Sequence, residues 1–163
     1  MPVHKHRPDP NKSLVGFIVG NVAYAVPISA VKEIVKPLPL TDLPHAPPAV
    51  IGVADHRGEV VPVVDLRKRF DVPGMADPRA TKWILVDSGG RTVGLVVDEV
   101  TDVFGTGGAE LRPPPVMGGG EDQRGLAGVT NYDGRLVFVL DLQKVETLTR
   151  TLPPANLLAQ GAT

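Results

Sequence analysis

An internal repeat restricts what this chain can fold into more than any other feature of its sequence. The segment GVADHRGEVVPVVDLRKRF (52–70) returns as GVTNYDGRLVFVLDLQKVE (128–146), and eight of the nineteen positions are identical. Unrelated segments of ordinary composition would share about one or two. A second similarity precedes each copy, since AVPISAVKEIV (25–35) aligns without gaps with GLVVDEVTDVF (94–104). The repeat indicates one structural unit used twice.

Each copy predicts the same order of elements. In the first copy, 14–19 and 23–28 form a hairpin around a Gly-Asn turn, and a single helical turn starting at Ser29 leads into an extended stretch ending at Val35. A connector with five prolines follows, and then a second hairpin within 50–65. In the second copy the hairpin KWILVD–SGGR–TVGLVV starts the same succession.

A unit of this size buries one face of a sheet only if the sheet curls on itself. We therefore expect an all-β protein made of two small, mostly antiparallel barrels that share a seam, with short helical turns. The predicted division is a flexible N-terminal arm, a first barrel subdomain, a second barrel subdomain and a C-terminal tail, over residues 1–12, 13–80, 81–150 and 151–163.

The composition excludes several classes of function. Lys and Arg total 17 against 18 Asp and Glu, a net charge of −1, which gives no general attraction to nucleic acid or anionic lipid. The absence of cysteine removes disulfides, thiol nucleophiles and zinc–thiolate sites. No apolar run has the length of a signal peptide or a membrane span. We expect a cytoplasmic protein that neither inserts into a membrane nor binds nucleic acid.

Several residues resemble parts of active sites, and each has a structural alternative. Asp87-Ser88-Gly89 after an apolar run is similar to the motif of aspartic proteases, but the equivalent place in the first copy has no second carboxylate. Asp65 and Asp141 end equivalent strands, where each is expected to accept hydrogen bonds from local backbone N–H groups. His4 and His6 lack a third metal ligand nearby. We predict no catalytic residue, no metal and no cofactor.

Most of the chain resembles the CheW family of chemotaxis coupling proteins. The resemblance rests on YAVPISAVKEIV (24–35), LPHAPPAVIGVADHRGEVVPVVDLRKRF (43–70), VGLVVDEVTDVF (93–104), LRPPP (111–115) and GVTNYDGRLVFVLDLQKV (128–145). It implies two SH3-like five-stranded β-barrels without catalytic activity. It also implies an adaptor with two partners, the cytoplasmic tip of chemoreceptors and the regulatory domain of a CheA-type histidine kinase. The chain would thus be associated with membrane receptor arrays through protein partners.

The resemblance also implies a receptor-binding surface. Three of its positions are valines that could equally be core residues of bent strands, and two are glycines that could serve close backbone approach. The positions that match the family's receptor-facing residues are Val31, Glu33, Gly52, Arg57, Gly94, Val100 and Val103.

Arg57 stands at a hairpin turn where the second copy has Asp133. Our hypothesis is that Arg57 pairs with Glu33 by charge-assisted hydrogen bonds and orders the receptor side of the molecule. The alternative is an arginine that is simply solvated at a turn.

One departure from the family pattern precedes Arg57. The family commonly has Asn-Leu there, and this chain has Asp55-His56. A polar residue at position 56 puts the usual receptor partner in question and suggests a specialised system with its own receptor. Two further functions stay open at this point: a free-standing regulatory barrel for another kinase, and a retropepsin-like protease that uses Asp87.

Overall fold

The structure is a computed structural model that describes residues 13–105, 111–113 and 125–149, with only the backbone for 146–149. The predicted arm (1–12) and tail (151–163) lie outside these residues. The chain forms, in order, β1 (Ser13–Val19), β2 (Val22–Pro27), a 3-10 turn (Ile28–Ala30), β3 (Val31–Val35), β4 (Val50–His56), β5 (Glu59–Asp65), α1 (Leu66–Arg69), β6 (Lys82–Ser88), β7 (Arg91–Val97), β8 (Glu99–Gly105), β9 (Leu126–Tyr132), β10 (Arg135–Leu140) and α2 (Leu142–Thr149).

These strands form two five-stranded sheets, as predicted. One sheet has the order β8-β1-β2-β10-β9, and we call it barrel one. The other has the order β3-β6-β7-β5-β4, and we call it barrel two. Neighbouring strands are antiparallel except for the β10–β2 and β5–β7 pairs, which are parallel. The all-β fold with two SH3-like subdomains is confirmed.

The strands do not assort into sheets along the predicted boundary at residue 80. Each barrel takes its first hairpin from one copy of the repeat and its other three strands from the other copy. Barrel one combines β1 and β2 with β8, β9 and β10, while barrel two combines β6 and β7 with β3, β4 and β5. The physical reason is that the third strand of each copy pairs with the first strand of the other, β3 with β6 and β8 with β1. The two copies are therefore interlocked.

The prediction from sequence also missed a helix. The backbone from Leu142 to Thr149 is helical, where we expected only the end of the second copy. An available signal is Asp141, because Asp is a preferred residue immediately before a helix. Its carboxylate accepts a hydrogen bond from Gln143 N at 2.9 Å. Asp65 does the same for Arg67 N, also at 2.9 Å, at the start of α1. The predicted backbone role of these two aspartates is confirmed.

The largest apolar cluster lies between the two sheets, where we expected a seam. Residues of a strand alternate between its faces, and in β6 Trp83 and Leu85 point into barrel two, whereas Ile84 and Val86 belong to the cluster between the sheets. The middle of β6, residues 83–86, is buried on both faces, and these four residues are all apolar. Barrel one has its own smaller cluster, which includes Phe104 and Val139.

A polar contact also joins the barrels. The carboxylate of Asp98, between β7 and β8, accepts hydrogen bonds from Arg67 Nε (2.9 Å) and Nη2 (3.0 Å) in α1 and from Gly20 N (2.8 Å) in the β1–β2 turn. Arg67 also donates to Pro73 O at 2.9 Å. The Arg67 and Asp98 side chains are mostly buried. The contact therefore links the β1–β2 turn of barrel one to α1, the helix that follows β5 of barrel two.

Candidate docking site

The side chain of Glu33 is the centre of the predicted receptor-facing surface. Its Oε1 accepts a hydrogen bond from Arg57 Nη2 at 2.8 Å, which confirms the predicted pairing. Its Oε2 is buried and lies 2.6 Å from His56 Nε2. This second approach does not have hydrogen-bond geometry and is a close polar contact between the imidazole and the carboxylate. Arg57 itself is 77% exposed and presents the rest of its guanidinium to solvent.

Local backbone geometry brings these three side chains together. The β4–β5 hairpin turns through Arg57 (φ 53°) and Gly58 (φ 84°), a pair of positive φ values that the tight turn requires. Asp55 Oδ1 accepts a hydrogen bond from Gly58 N at 2.9 Å and fixes the turn. In β3, the pairing with β6 shifts register between Val31 and Glu33, and this bulge redirects the side chains of the edge strand.

The contact between Glu33 and His56 links the two edge strands of barrel two, β3 and β4. In barrel one an aromatic pair joins the two edge strands, because the rings of Phe104 (β8) and Tyr132 (β9) stack with centroids 4.1 Å apart. Tyr132 and His56 occupy the same position of the repeat. The role of His56 in closing a barrel escaped the sequence analysis, although the alignment of the two copies contained the signal.

Gly52 is required by close backbone approach. It has a φ of 150°, and a Cβ there would lie 2.5 Å from Thr41 O. Thr41 exchanges two backbone hydrogen bonds with Val53, so the proline-rich connector pairs with the edge of β4. In the second copy Gly128 makes room for Leu111 and Arg112 in the same way. The glycine repeated in both copies thus serves the fold, and Gly52 is itself buried.

Gly94 lies inside barrel two. A Cβ at this position would meet Leu85 Cδ2 at 3.4 Å and Val63 Cγ2 at 3.6 Å, which are ordinary contacts with the barrel's own core. Gly94 therefore faces the interior of the barrel, whereas the Glu33–Arg57 pair reaches the surface. The place of Gly94 on a receptor-binding surface stays a prediction.

The three valines differ in exposure. Val31 and Val100 are half-buried and pack against the cluster between the sheets, which favours their structural interpretation. Val103, on the edge strand β8, is 50% exposed. Ile34, the residue that matches Val103 in the repeat, is 40% exposed on the edge strand β3. Val103 is therefore the valine best placed to meet another protein.

Two residues of the motif that resembled a protease site make structural contacts. Asp87 Oδ1 accepts a hydrogen bond from Gly90 N at 3.1 Å in the β6–β7 turn. Ser88 is buried and its hydroxyl donates to Leu142 O at 2.7 Å, so it anchors α2 to barrel two. Asp87 and Ser88 are thus both engaged in local structure.

The part of the chain that the structure describes contains no group of three or more His, Cys, Asp or Glu side chains able to hold a metal ion. Within 13–105, 111–113 and 125–149, no helix has the length and apolar character needed to cross a lipid bilayer. His4 and His6 lie outside the described residues.

The described residues form two interlocked barrels whose polar groups hold turns and edges, and they present an exposed arginine paired with a glutamate. The CheW-like domain model matches residues 13–148, and the chain belongs to the CheW family. The predicted family is confirmed, and with it the class of protein, a chemotaxis coupling adaptor.

Three similar proteins illustrate the breadth of this match. The chain is 34% identical over 142 residues to the chemotaxis protein CheW of Rhizobium meliloti, covering 86% of this chain and 91% of that protein. It is 36% identical over 127 residues to the protein FrzA of Myxococcus xanthus, covering 77% and 78%. The crystal structure of the scaffolding protein TtCheW from Thermoanaerobacter tengcongensis superposes with a TM-score of 0.77 at 28% identity, over 96% of this chain and 99% of that one.

Proposed function

We propose that this protein is a non-catalytic cytoplasmic adaptor that joins the cytoplasmic tip of a chemoreceptor to the regulatory domain of a CheA-type histidine kinase. The observation that carries the proposal is the Glu33–Arg57 pair, found at 2.8 Å on the surface where the family resemblance puts receptor contacts. A non-catalytic role is supported by Asp65, Asp87 and Asp141, because the carboxylate of each accepts a hydrogen bond from a nearby backbone N–H group.

The receptor-facing surface comprises Glu33, Arg57 and the exposed edge around Val103 in this proposal. Arg57 presents a positive charge whose direction is fixed by Glu33, and an ordered guanidinium is suited to recognise a carboxylate or carbonyl group on the receptor. Because Arg57 is 77% exposed, its pairing with Glu33 contributes little to folding, about 0–1 kcal/mol. The same pair therefore offers a way to disturb binding without unfolding the protein.

The partners are best tested by reconstitution with a purified receptor fragment and a purified kinase. Arg57→Glu places two carboxylates opposite each other, and we expect it to weaken receptor binding by tenfold or more and to abolish receptor control of kinase activity. Arg57→Gln removes the outward charge without opposing two carboxylates, and so separates the loss of the arginine from the repulsion. Arg79→Glu is the matched control, since Arg79 is 95% exposed on the connector between the hairpins.

An unaltered thermal unfolding midpoint together with full receptor coupling in Arg57→Glu would contradict the proposed surface. Binding to the kinase without any binding to the receptor fragment would instead favour a free-standing regulatory barrel for a kinase. The two outcomes are distinguishable because the kinase and the receptor fragment are titrated separately.

A further inference from the structure

A cavity of about 150 Å³ opens into barrel one between its two edge strands. Phe104 and Tyr132, whose rings stack on each other, line this cavity together with Asp102 and Asp133. Both aspartates are exposed. Among the residues that the structure describes, neither carboxylate accepts a hydrogen bond or enters an ion pair. Arg135 also lines the cavity, but its Nη2 donates to Asn21 O at 2.8 Å.

The equivalent place in barrel two is occupied by the protein's own side chains. Asp102 matches Glu33 in the repeat, Tyr132 matches His56, and Asp133 matches the arginine at the hairpin turn, Arg57. In barrel two that arginine reaches the acidic residue of the edge strand at 2.8 Å. In barrel one the turn residue, Asp133, is acidic as well, so among the described residues no arginine stands at the position that Arg57 occupies in barrel two.

From this difference between the barrels we propose that the cavity of barrel one binds an arginine side chain that a partner protein presents at a β-turn. The guanidinium would pair with Asp102 and Asp133 as the Arg57 guanidinium pairs with Glu33. Its planar face would lie against the Phe104–Tyr132 pair, because an arginine combines ion pairing with stacking on aromatic rings. The ammonium group of a lysine forms the ion pair but lacks the planar face. This site does not involve the surface around Arg57.

The probes for the test are N-acetyl-arginine amide, the equivalent citrulline derivative, which has nearly the same shape without the charge, and the equivalent lysine derivative. Two-dimensional NMR of the full chain follows resonances that line the cavity, with Ile18 and Val137 as reporters. We expect saturable shifts with arginine, with a dissociation constant on the order of 10 mM, weaker binding of lysine and none of citrulline. A cyclic hairpin peptide that presents arginine at its turn is expected to bind at least about tenfold more tightly, because its side chain is already positioned.

Two variants make the test specific. Asp102→Asn with Asp133→Asn is expected to weaken binding of the arginine derivative by about tenfold or more, since hydrogen bonds to charged groups are the stronger ones. Asp133→Arg is expected to abolish binding, because the new side chain would pair with Asp102 inside the molecule. The backbone accepts this change, as Asp133 has a φ of 54° and Arg57 a φ of 53° at the equivalent position. Asp42→Asn, an exposed aspartate of the connector, is the matched control.

Each outcome decides the proposal. Absence of shifts with arginine up to about 100 mM, tenfold above the expected constant, would overturn it, as would equal shifts with citrulline or undiminished binding in Asp133→Arg. A hairpin peptide that binds no better than the capped amino acid would overturn the assignment to a turn of a protein partner. Because the variants change exposed side chains, an unchanged spectrum away from the cavity verifies that each one is folded.

Discussion

Asp98 receives two hydrogen bonds from the guanidinium of Arg67, at 2.9 and 3.0 Å, and lies in the connection between β7 of barrel two and β8 of barrel one. The carboxylate also holds Gly20 N, in the first hairpin turn. Removing one partner leaves the other charge mostly buried and unpaired, which is more costly than losing an exposed ion pair.

Arg67→Met is therefore expected to lower the free energy of unfolding by about 3 kcal/mol, measured by urea denaturation. Arg79→Met provides the control, because the Arg79–Asp77 pair is exposed and 3.8 Å long, and its loss should change stability by less than about 0.5 kcal/mol. A loss below about 1 kcal/mol in Arg67→Met would show that the contact does not brace the barrels.

Gly52→Ala is expected to destabilise the protein by about 2–4 kcal/mol, because the new Cβ would meet Thr41 O at 2.5 Å and the φ of 150° is strained for alanine. Gly128→Ala should have a similar effect through Leu111 and Arg112. Gly94→Ala is the comparison, since its Cβ finds ordinary contacts at 3.4 Å or more, and we expect a change below about 1 kcal/mol. Thermal unfolding measures all three, and equal effects would argue against backbone approach as the role of Gly52.

Val103→Thr separates binding from folding. The two side chains have nearly the same shape, and Val103 is 50% exposed, so stability should change by less than about 0.5 kcal/mol. Val100→Thr introduces a hydroxyl beside the cluster between the sheets and should cost about 1–2 kcal/mol of stability. If the edge of β8 contacts a partner, Val103→Thr weakens that complex about fivefold, a loss of about 1 kcal/mol. Isothermal titration with the receptor fragment and the kinase measures this effect, and unchanged affinity for both removes Val103 from the surface.

His56→Leu is expected to cost about 1–3 kcal/mol, because Glu33 Oε2 is buried and would lose the polar group 2.6 Å away. Combining it with Glu33→Ala tests whether the two residues act together. The effects of the single changes should then add to clearly more than that of the double change. Additive effects in chemical denaturation would mean that His56 closes barrel two without help from Glu33.

Several features of the candidate site followed from sequence, and others did not. The Glu33–Arg57 pair was predicted from the charge reversal between Arg57 and Asp133 together with the family resemblance, and the structure contains it. The contact of His56 with Glu33 was missed, because it depends on two edge strands meeting as the sheet closes. The cavity of barrel one was also missed, since an empty space has no signature in the order of residues.

The sequence by itself determined the order of elements, because hairpins depend on local information. Alternation of apolar residues sets the strands, and glycines such as Gly58 and Gly134 accept the positive φ of the turns. Only the tertiary structure decided which hairpin enters which barrel. The two copies have nearly the same pattern of apolar residues. Judged by that pattern alone, the backbone of β3 could form its hydrogen bonds with the first hairpin of either copy. In the interlocked arrangement β6 is buried on both faces, with Trp83 on one side and Ile84 on the other, and Arg67 meets Asp98. These contacts depend on how the two copies pack against each other, which local patterns of sequence do not specify.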